Sequence, residues 1–324
     1  MNTTFIITGG AGRVIAAIPA LEKYHRLKPK DDFKVIVHGW DCLYWSHPLL
    51  QKRTFGANQK GLFDSIIKNT KICAPEPYQN NRFYNQKISL IEAFDEEINK
   101  TKKHDDLEVT SNLYLSSVED SVIKDFIQSE KTKQKKRKAI VFQPYGSGVE
   151  QIAKQPVDPS NRSLTLSAYF DIVTELSKDA VIFYASQPQF RHPKDNISVP
   201  FDDKQPYLRT MMGLIKHCDY FIGIDSVGQH MARSFNKAGN ILMGSTNEVN
   251  FSYTDHFNIV RKSDRTPIYS PWRLADFDCD FSNRENDGIM DFTKEEINSV
   301  IQTVKEELGI ISVTKIGDTS ISYD

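Results

Sequence analysis

Residues 218–248 read CDYFIGIDSVGQHMARSFNKAGNILMGSTNE. The apolar run predicts a strand ending at Asp225 and Ser226, a short turn through Val227 and Gly228, and a helix carrying Gln229, His230 and Ala232. NILMGS closes the unit as another strand, so strand, helix and strand follow one another as in a parallel sheet. A helix that opens at a strand's carboxyl end turns free N–H groups and a positive dipole end toward whatever lies above the sheet. A diphosphate fits there. Asp225 at the strand tip can accept from sugar hydroxyls, and Ser226 can donate to a phosphate oxygen.

The same rhythm extends outward. Upstream, KAIVFQPYGSG gives a strand and a glycine-bearing turn, LSAYFDIVTELS a helix, AVIFYAS a strand and YLRTMMGLIKHC a helix. Ahead of them, Lys131 to Lys138 (KTKQKKRK) has six basic residues in eight and no apolar one, which reads as a domain boundary and a solvated linker. The first half also alternates, with strands at FIIT and FKVIVHG and helices at KISLIEAFDEEIN and VEDSVIKDFIQSEK. LFDSIIKN is a short helix or turn, and the prolines of KICAPEPY end any regular element there. Thr293 and Glu296 form a capping box before a last helix with Ile297, Val300, Ile301, Val304 and Leu308 on one face, which Gly309 stops. The expected architecture is α/β, two Rossmann-like doubly wound parallel-sheet domains facing a cleft. The first covers 1–137 and the second 138–292; a C-terminal helix at 293–309 packs across both, and 310–324 is a flexible tail.

The 324 residues carry a formal net charge of −1, which excludes a protein that grips nucleic acid by overall charge and leaves room only for a local basic cleft. No apolar run approaches the roughly 20 residues of a membrane helix. The opening reads as a strand rather than a signal peptide. Cys42, Cys73, Cys218 and Cys279 stand far apart, without metal-type or redox-type spacing, and fit free thiols in a reducing cytosol. A cytoplasmic monomer is expected.

Residues 5–24, FIITGGAGRVIAAIPALEKY, form a strand, a glycine turn and a helix with apolar residues at Val14, Ile15, Ile18 and Leu21. Taken alone, the turn through Gly9, Gly10 and Gly12 fits a dehydrogenase, a kinase, a sugar-nucleotide enzyme or a tight connection with no ligand. Two facing sheets place it across a crevice from residues 225–230, because ligands of open α/β sheets sit beyond the carboxyl ends of the strands.

The 218–248 segment resembles the donor-binding element of the ADP-heptose-type glycosyltransferases, bacterial heptosyltransferases of GT-B architecture. Their pattern runs Asp, Ser/Thr, Gly, Pro, any residue, His, Leu/Met, Ala. Asp225, Ser226, His230, Met231 and Ala232 match it, while Val227 and Gly228 stand where Gly and Pro are usual. The opening is similar to the family's Gly-x-x-Gly-Asp-x-x-x-x-x-Pro-Ala-Leu, through Gly9, Gly12, Pro19, Ala20 and Leu21. Pro144, Gly146 and Ser147 take the position of its second loop, and Arg162 that of its basic donor-phosphate contact. The resemblance implies transfer from a nucleotide-diphosphate sugar to a hydroxyl, with inversion, no metal and no cofactor beyond that co-substrate. The implied donor site is Gly146, Ser147, Arg162, Asp225, Ser226, Gly228, Gln229 and His230. The acceptor side is Gly10, Gly12, Arg13 and Trp40. Asp278-Cys279-Asp280 has the spacing of a metal pair but lies in an irregular late segment.

One position departs from the pattern. Where the family carries an aspartate that serves as general base, this chain has Arg13, which stays protonated at working pH. Arg13 suits an anionic acceptor group by bidentate bonding. Asp41, beyond the second strand at HGWD, is the best replacement base, ahead of the helical pair Asp95 and Glu96. Trp40, Tyr44, Trp45 and Phe55, with His38 and His47, form an aromatic loop that is either core or a stacking platform for a sugar or base. The acceptor is a lipopolysaccharide-type or other surface glycan, or a hydroxymethylated DNA base of the kind bacteriophage glycosyltransferases modify. Two other readings stay open: a nucleotide-sugar epimerase or NAD-dependent oxidoreductase, and a non-catalytic sugar-binding protein that has lost the base.

Overall fold

The computed structural model describes residues 2–146, 148–152, 155–188, 190–194, 197–198, 207–267 and 286–311. The first half runs β1 (Thr3–Ile7), α1 (Ala11–Ala16), α2 (Ile18–Leu27), β2 (Lys34–Val37), β3 (Thr54–Gly56), β4 (Lys71–Cys73), α3 (Asn81–Tyr84) and α4 (Leu90–Asn99). The strands form a parallel sheet in the order β3-β2-β1-β4, with Phe5 opposite both Val35 and Cys73. The helix expected after the glycine turn is two helices sharing Ala17. Pro19 has no N–H to give the carbonyl of Ile15, so the first helix stops and a second starts with the proline in its first turn.

The second half runs α5 (Ser117–Lys133), β5 (Lys138–Gln143), β6 (Glu150–Ile152), β7 (Gln155–Val157), α6 (Leu166–Leu176), β8 (Ala180–Tyr184), α7 (Tyr207–His217), β9 (Tyr220–Ile224), α8 (Val227–Ser234), β10 (Gly239–Leu242), α9 (Glu248–Phe251), β11 (Asn258–Val260) and α10 (Lys294–Glu307). Five of its strands form a second parallel sheet, β11-β10-β9-β5-β8, and β6 and β7 pair as an antiparallel hairpin. Every residue of β8 and β9 is buried, as strands covered by helices on both faces must be.

Three packing arrangements differ from the sequence expectation. Lys131 to Lys133 are the last turn of α5, where Lys131 Nζ donates to Asp219 Oδ2 at 2.6 Å, and Lys138 opens β5. The lysine run is thus an anchored helix end and a short connection rather than a solvated linker. Helix α5 precedes residue 137 yet packs on α7, β5 and β8 of the second sheet. Helix α10 lies on α6 and β10 of the second sheet, where Ile297, Val300 and Val304 join the apolar cluster that holds Phe142, Tyr169 and Leu242.

One hydrophobic cluster runs unbroken from Phe5, Val14 and Ile18 through Ile123, Met211 and Phe221 to Met231, joining the sheets. A second cluster, with Tyr169, Ile222 and Val304, fills the opposite face of the second sheet. Among the described residues no helix is long and apolar enough to cross a membrane.

Candidate functional site

The carboxyl ends of both sheets open on one cavity of about 250 Å³. Gly10, Gly12 and Arg13 reach it from the turn after β1, and Trp40 from beyond β2. Gly146, Arg162, Asp225, Ser226 and His230 reach it from the second sheet. Asp41, Gly228 and Gln229 are not among the lining residues. Ser147 and the Asp278–Asp280 pair lie outside the described residues.

On the second-sheet side, β9 ends at Ile224 and delivers Asp225, 4 % exposed, to the cavity wall. Gln229, fully buried one helical turn on, donates from Nε2 to Asp225 Oδ1 at 2.9 Å; Oδ2 has no partner. Arg162 Nη1 stands 3.9 Å from that free oxygen and its Nε donates to Ser160 Oγ at 2.9 Å, which fixes a guanidinium beside the α8 N-terminus. Gln143, the last residue of β5, donates from Nε2 to Ser226 Oγ at 3.0 Å and accepts from the Gly228 N–H at 3.0 Å. A Cβ on Gly228 would lie 2.3 Å from Gln143 Oε1 and 2.7 Å from the Phe221 ring. Gly228 is therefore a close-packing position, and Gln229 supports Asp225 from behind.

On the first-sheet side, Gly9 adopts φ +90°, and a Cβ there would meet Arg13 Cδ at 2.7 Å. The glycine lets the arginine side chain fold back along the turn. The Arg13 guanidinium lies 4.7 Å from the Tyr78 ring centroid and donates from Nη2 to Glu76 Oε2 at 3.0 Å, while its buried Nε has no partner. Glu76 also accepts from the Tyr78 N–H at 3.1 Å. The arginine that departs from the expected sequence pattern is thus already paired with a carboxylate and stacked on an aromatic ring.

The two sides touch at Gly12. A Cβ there would sit 2.9 Å from His230 Cδ2 and 3.0 Å from Nε2, so glycine permits α1 and α8 to meet. His230 Nδ1 bonds Tyr253 Oη at 2.8 Å. Burial pushes the His230 pKa down to about 4 against the opposing pull of nearby Asp225, leaving a neutral imidazole at neutral pH.

The aromatic loop divides. Trp40 lines the cavity, Tyr44 is buried and donates to the Val14 carbonyl at 2.7 Å, and Trp45 is exposed outside the lining. Asp41 opens a short 3-10 turn, Asp41–Tyr44, and its Oδ1 lies 3.6 Å from where a Gly56 Cβ would be. His47 is buried, with Nδ1 accepting from the Leu49 and Leu50 N–H groups. Gln143, Tyr78, Tyr145 and Tyr207 also line the cavity and were not singled out from sequence. Gln143 carried a readable signal, a polar residue ending an apolar parallel strand; the tyrosines did not.

No protein-family model matches the chain, and no curated protein sequence matches it. Solved structures do. The iron-containing dodecameric glycosyltransferase TibC from enterotoxigenic E. coli H10407 is 13 % identical over 96 % of this chain and 80 % of that one, with a TM-score of 0.61. The glycosyl transferase family 9 protein of Veillonella parvula DSM 2008 is 12 % identical over 95 % and 98 %, with a TM-score of 0.61. The E. coli ADP-heptose lipopolysaccharide heptosyltransferase II is 13 % identical over 94 % and 100 %, with a TM-score of 0.52. Among the described residues no three His, Cys, Asp or Glu side chains gather as a metal site. At these identities the likeness is one of fold: the chain has the GT-B architecture of these glycosyltransferases, two parallel α/β sheets whose carboxyl ends face one cleft.

Proposed function

We propose that the chain is a glycosyltransferase that moves a sugar from a nucleotide-diphosphate donor to a hydroxyl acceptor, with inversion and without a resident metal. The observation that carries this reading is the shared cavity, which joins Gly10, Arg13 and Trp40 to Arg162, Asp225, Ser226 and His230. The donor's diphosphate rests at the α8 N-terminus, where the helix dipole, the Ser226 hydroxyl and Arg162 offset the charge that grows on the leaving group. Asp225 Oδ2, buried and without a hydrogen-bond partner, accepts from a donor hydroxyl. The acceptor enters from the Arg13 and Trp40 side, a surface glycan or a hydroxymethylated DNA base. Both walls of the cavity belong to one chain, so the site needs no second copy, and we place the chain's work, as a monomer, in the cytoplasm.

A second reading, a sugar-binding protein without turnover, is favoured by one observation. Asp225 is the cavity's acidic residue among the described lining, and it is tied to Gln229 and flanked by Arg162. Asp41 as general base requires the acceptor to reach beyond that lining. Thermal-shift screening against nucleotide sugars and NAD separates the classes: stabilisation by one nucleotide sugar and not by NAD is the expected result. Release of free nucleotide diphosphate on adding a truncated glycan or hydroxymethylated DNA then identifies the acceptor. Binding without any turnover points to the second reading, and Asp41→Asn with full turnover removes Asp41 as base.

A further inference from the structure

We infer that Gln143 is a positioning residue that aims the Ser226 hydroxyl proton at the donor's diphosphate. This rests on the glycosyltransferase reading. The logic is one of hydrogen-bond polarity. The Gly228 backbone N–H can only donate, so the Gln143 group it meets at 3.0 Å has to be the amide oxygen. That fixes the amide with its nitrogen toward Ser226 Oγ, 3.0 Å away, and a nitrogen of that kind can only donate. Ser226 Oγ therefore accepts from Gln143, and its own proton is left to point elsewhere. Ser226 lines the cavity beside Val227 and Arg162, and no described residue accepts its proton.

Burial makes the arrangement rigid. Gln143 is 3 % exposed, and Gly228 leaves no space between the helix and the amide, since a Cβ would stand 2.3 Å from Oε1. A second feature marks the same spot as a ligand site: Asp225, 4 % exposed, carries next to it an Oδ2 that accepts no hydrogen bond, with the Arg162 guanidinium 3.9 Å away. A phosphate oxygen above the α8 N-terminus thus meets a hydroxyl whose direction is set before binding, so little orientation is lost when the ligand arrives. The amide also occupies the Gly228 N–H, which directs the ligand to the hydroxyl rather than to that backbone donor.

The test is calorimetric titration of the full chain with ADP, GDP, UDP, CDP and dTDP, followed by the parent nucleoside of whichever binds. Ser226→Ala and Gln143→Leu should each weaken the diphosphate by about tenfold, the scale of one hydrogen bond to a charged group, and leave the nucleoside unchanged. The double variant should bind no more weakly than Ser226→Ala, because Gln143 acts through that hydroxyl. Additive losses would mean that Gln143 merely holds the helix, and would overturn the inference. So would Gln143→Leu binding as wild type, or Ser226→Ala with undiminished affinity. If Gln143→Leu does not fold, Gln143→Met, uncharged and close to the amide in volume, serves in its place; its loss should likewise vanish in the Ser226→Ala background. A wild-type chain that binds none of the diphosphates overturns the glycosyltransferase reading itself, a result distinct from wild-type binding with unaffected variants.

Discussion

His230 shows how a single side chain records the closeness of the two sheets. It is 5 % exposed, seated against Gly12 and bonded to Tyr253, and burial lowers its pKa from 6.5 to about 4. Between those values the unfolded chain binds a proton that the folded chain refuses, so stability falls as pH drops from 6.5 to 4 and is fully present above 6.5. For a shift of this size the loss is about 3 kcal/mol. His230→Asn should remove that part of the slope, read as the difference between wild-type and variant urea midpoints across pH 7.5 to 4.5. Equal slopes for the two proteins would show that the imidazole is not held neutral by burial. Arg13 offers the complementary lesson. Its type was legible as a departure, but its partner Glu76 lies 63 residues away and no local pattern connects them.

At the level of elements, the rhythm of strands and helices was legible because parallel strands buried on both faces must be continuous apolar runs, as in β5, β8 and β9. Strands β3, β4 and β11 are only three residues long, and half-exposed runs that short carry no period to detect. The clamp of Gln143 on Ser226 depends on two strand ends meeting, which sequence spacing does not encode. The destination of α5 was illegible for a similar reason. Its buried residues, Ile123 and Ile127, say that it packs but not against which sheet. The structure answers through Gly213 on α7, where a Cβ would lie 2.2 Å from Ile123 Cδ1. Gly213→Ala should therefore push α5 off α7 and cost about 1–3 kcal/mol, the range for overpacking a filled core. A denaturant midpoint unchanged from wild type would contradict this docking.

For the whole molecule, the question is what keeps the first-sheet loop bearing Trp40 in register with the second sheet. Arg209 on α7 is 1 % exposed and sits at that junction. Its Nε and Nη2 grip the Glu119 carboxylate at 2.8 and 2.5 Å, and its Nη1 donates to the carbonyls of Tyr114, Cys42 and Trp45 at 2.9, 3.2 and 3.3 Å. The Arg209 bond in turn is the main reason that the Glu119 pKa is lowered to about 2. One guanidinium fork thus joins α7, α5, the segment before α5 and the loop that carries Trp40 and Asp41. Its neighbours on α7, Tyr207 and Leu208, line the cavity, so a shift at this junction is felt on the side proposed for the acceptor. Arg209→Lys keeps the charge but loses the planar fork and cannot reach four partners at once. The expected result is a loss of about 2 kcal/mol in stability, the scale of a weakened buried charge pair. Amide hydrogen exchange should also speed up across residues 40–46, and acceptor affinity should fall further than nucleotide affinity. Arg209→Lys that melts earlier yet exchanges residues 40–46 at the wild-type rate would mean that the arginine only fills the core. In that case the Trp40 loop is held to the second sheet by the apolar contacts through Leu43 and Tyr44 instead.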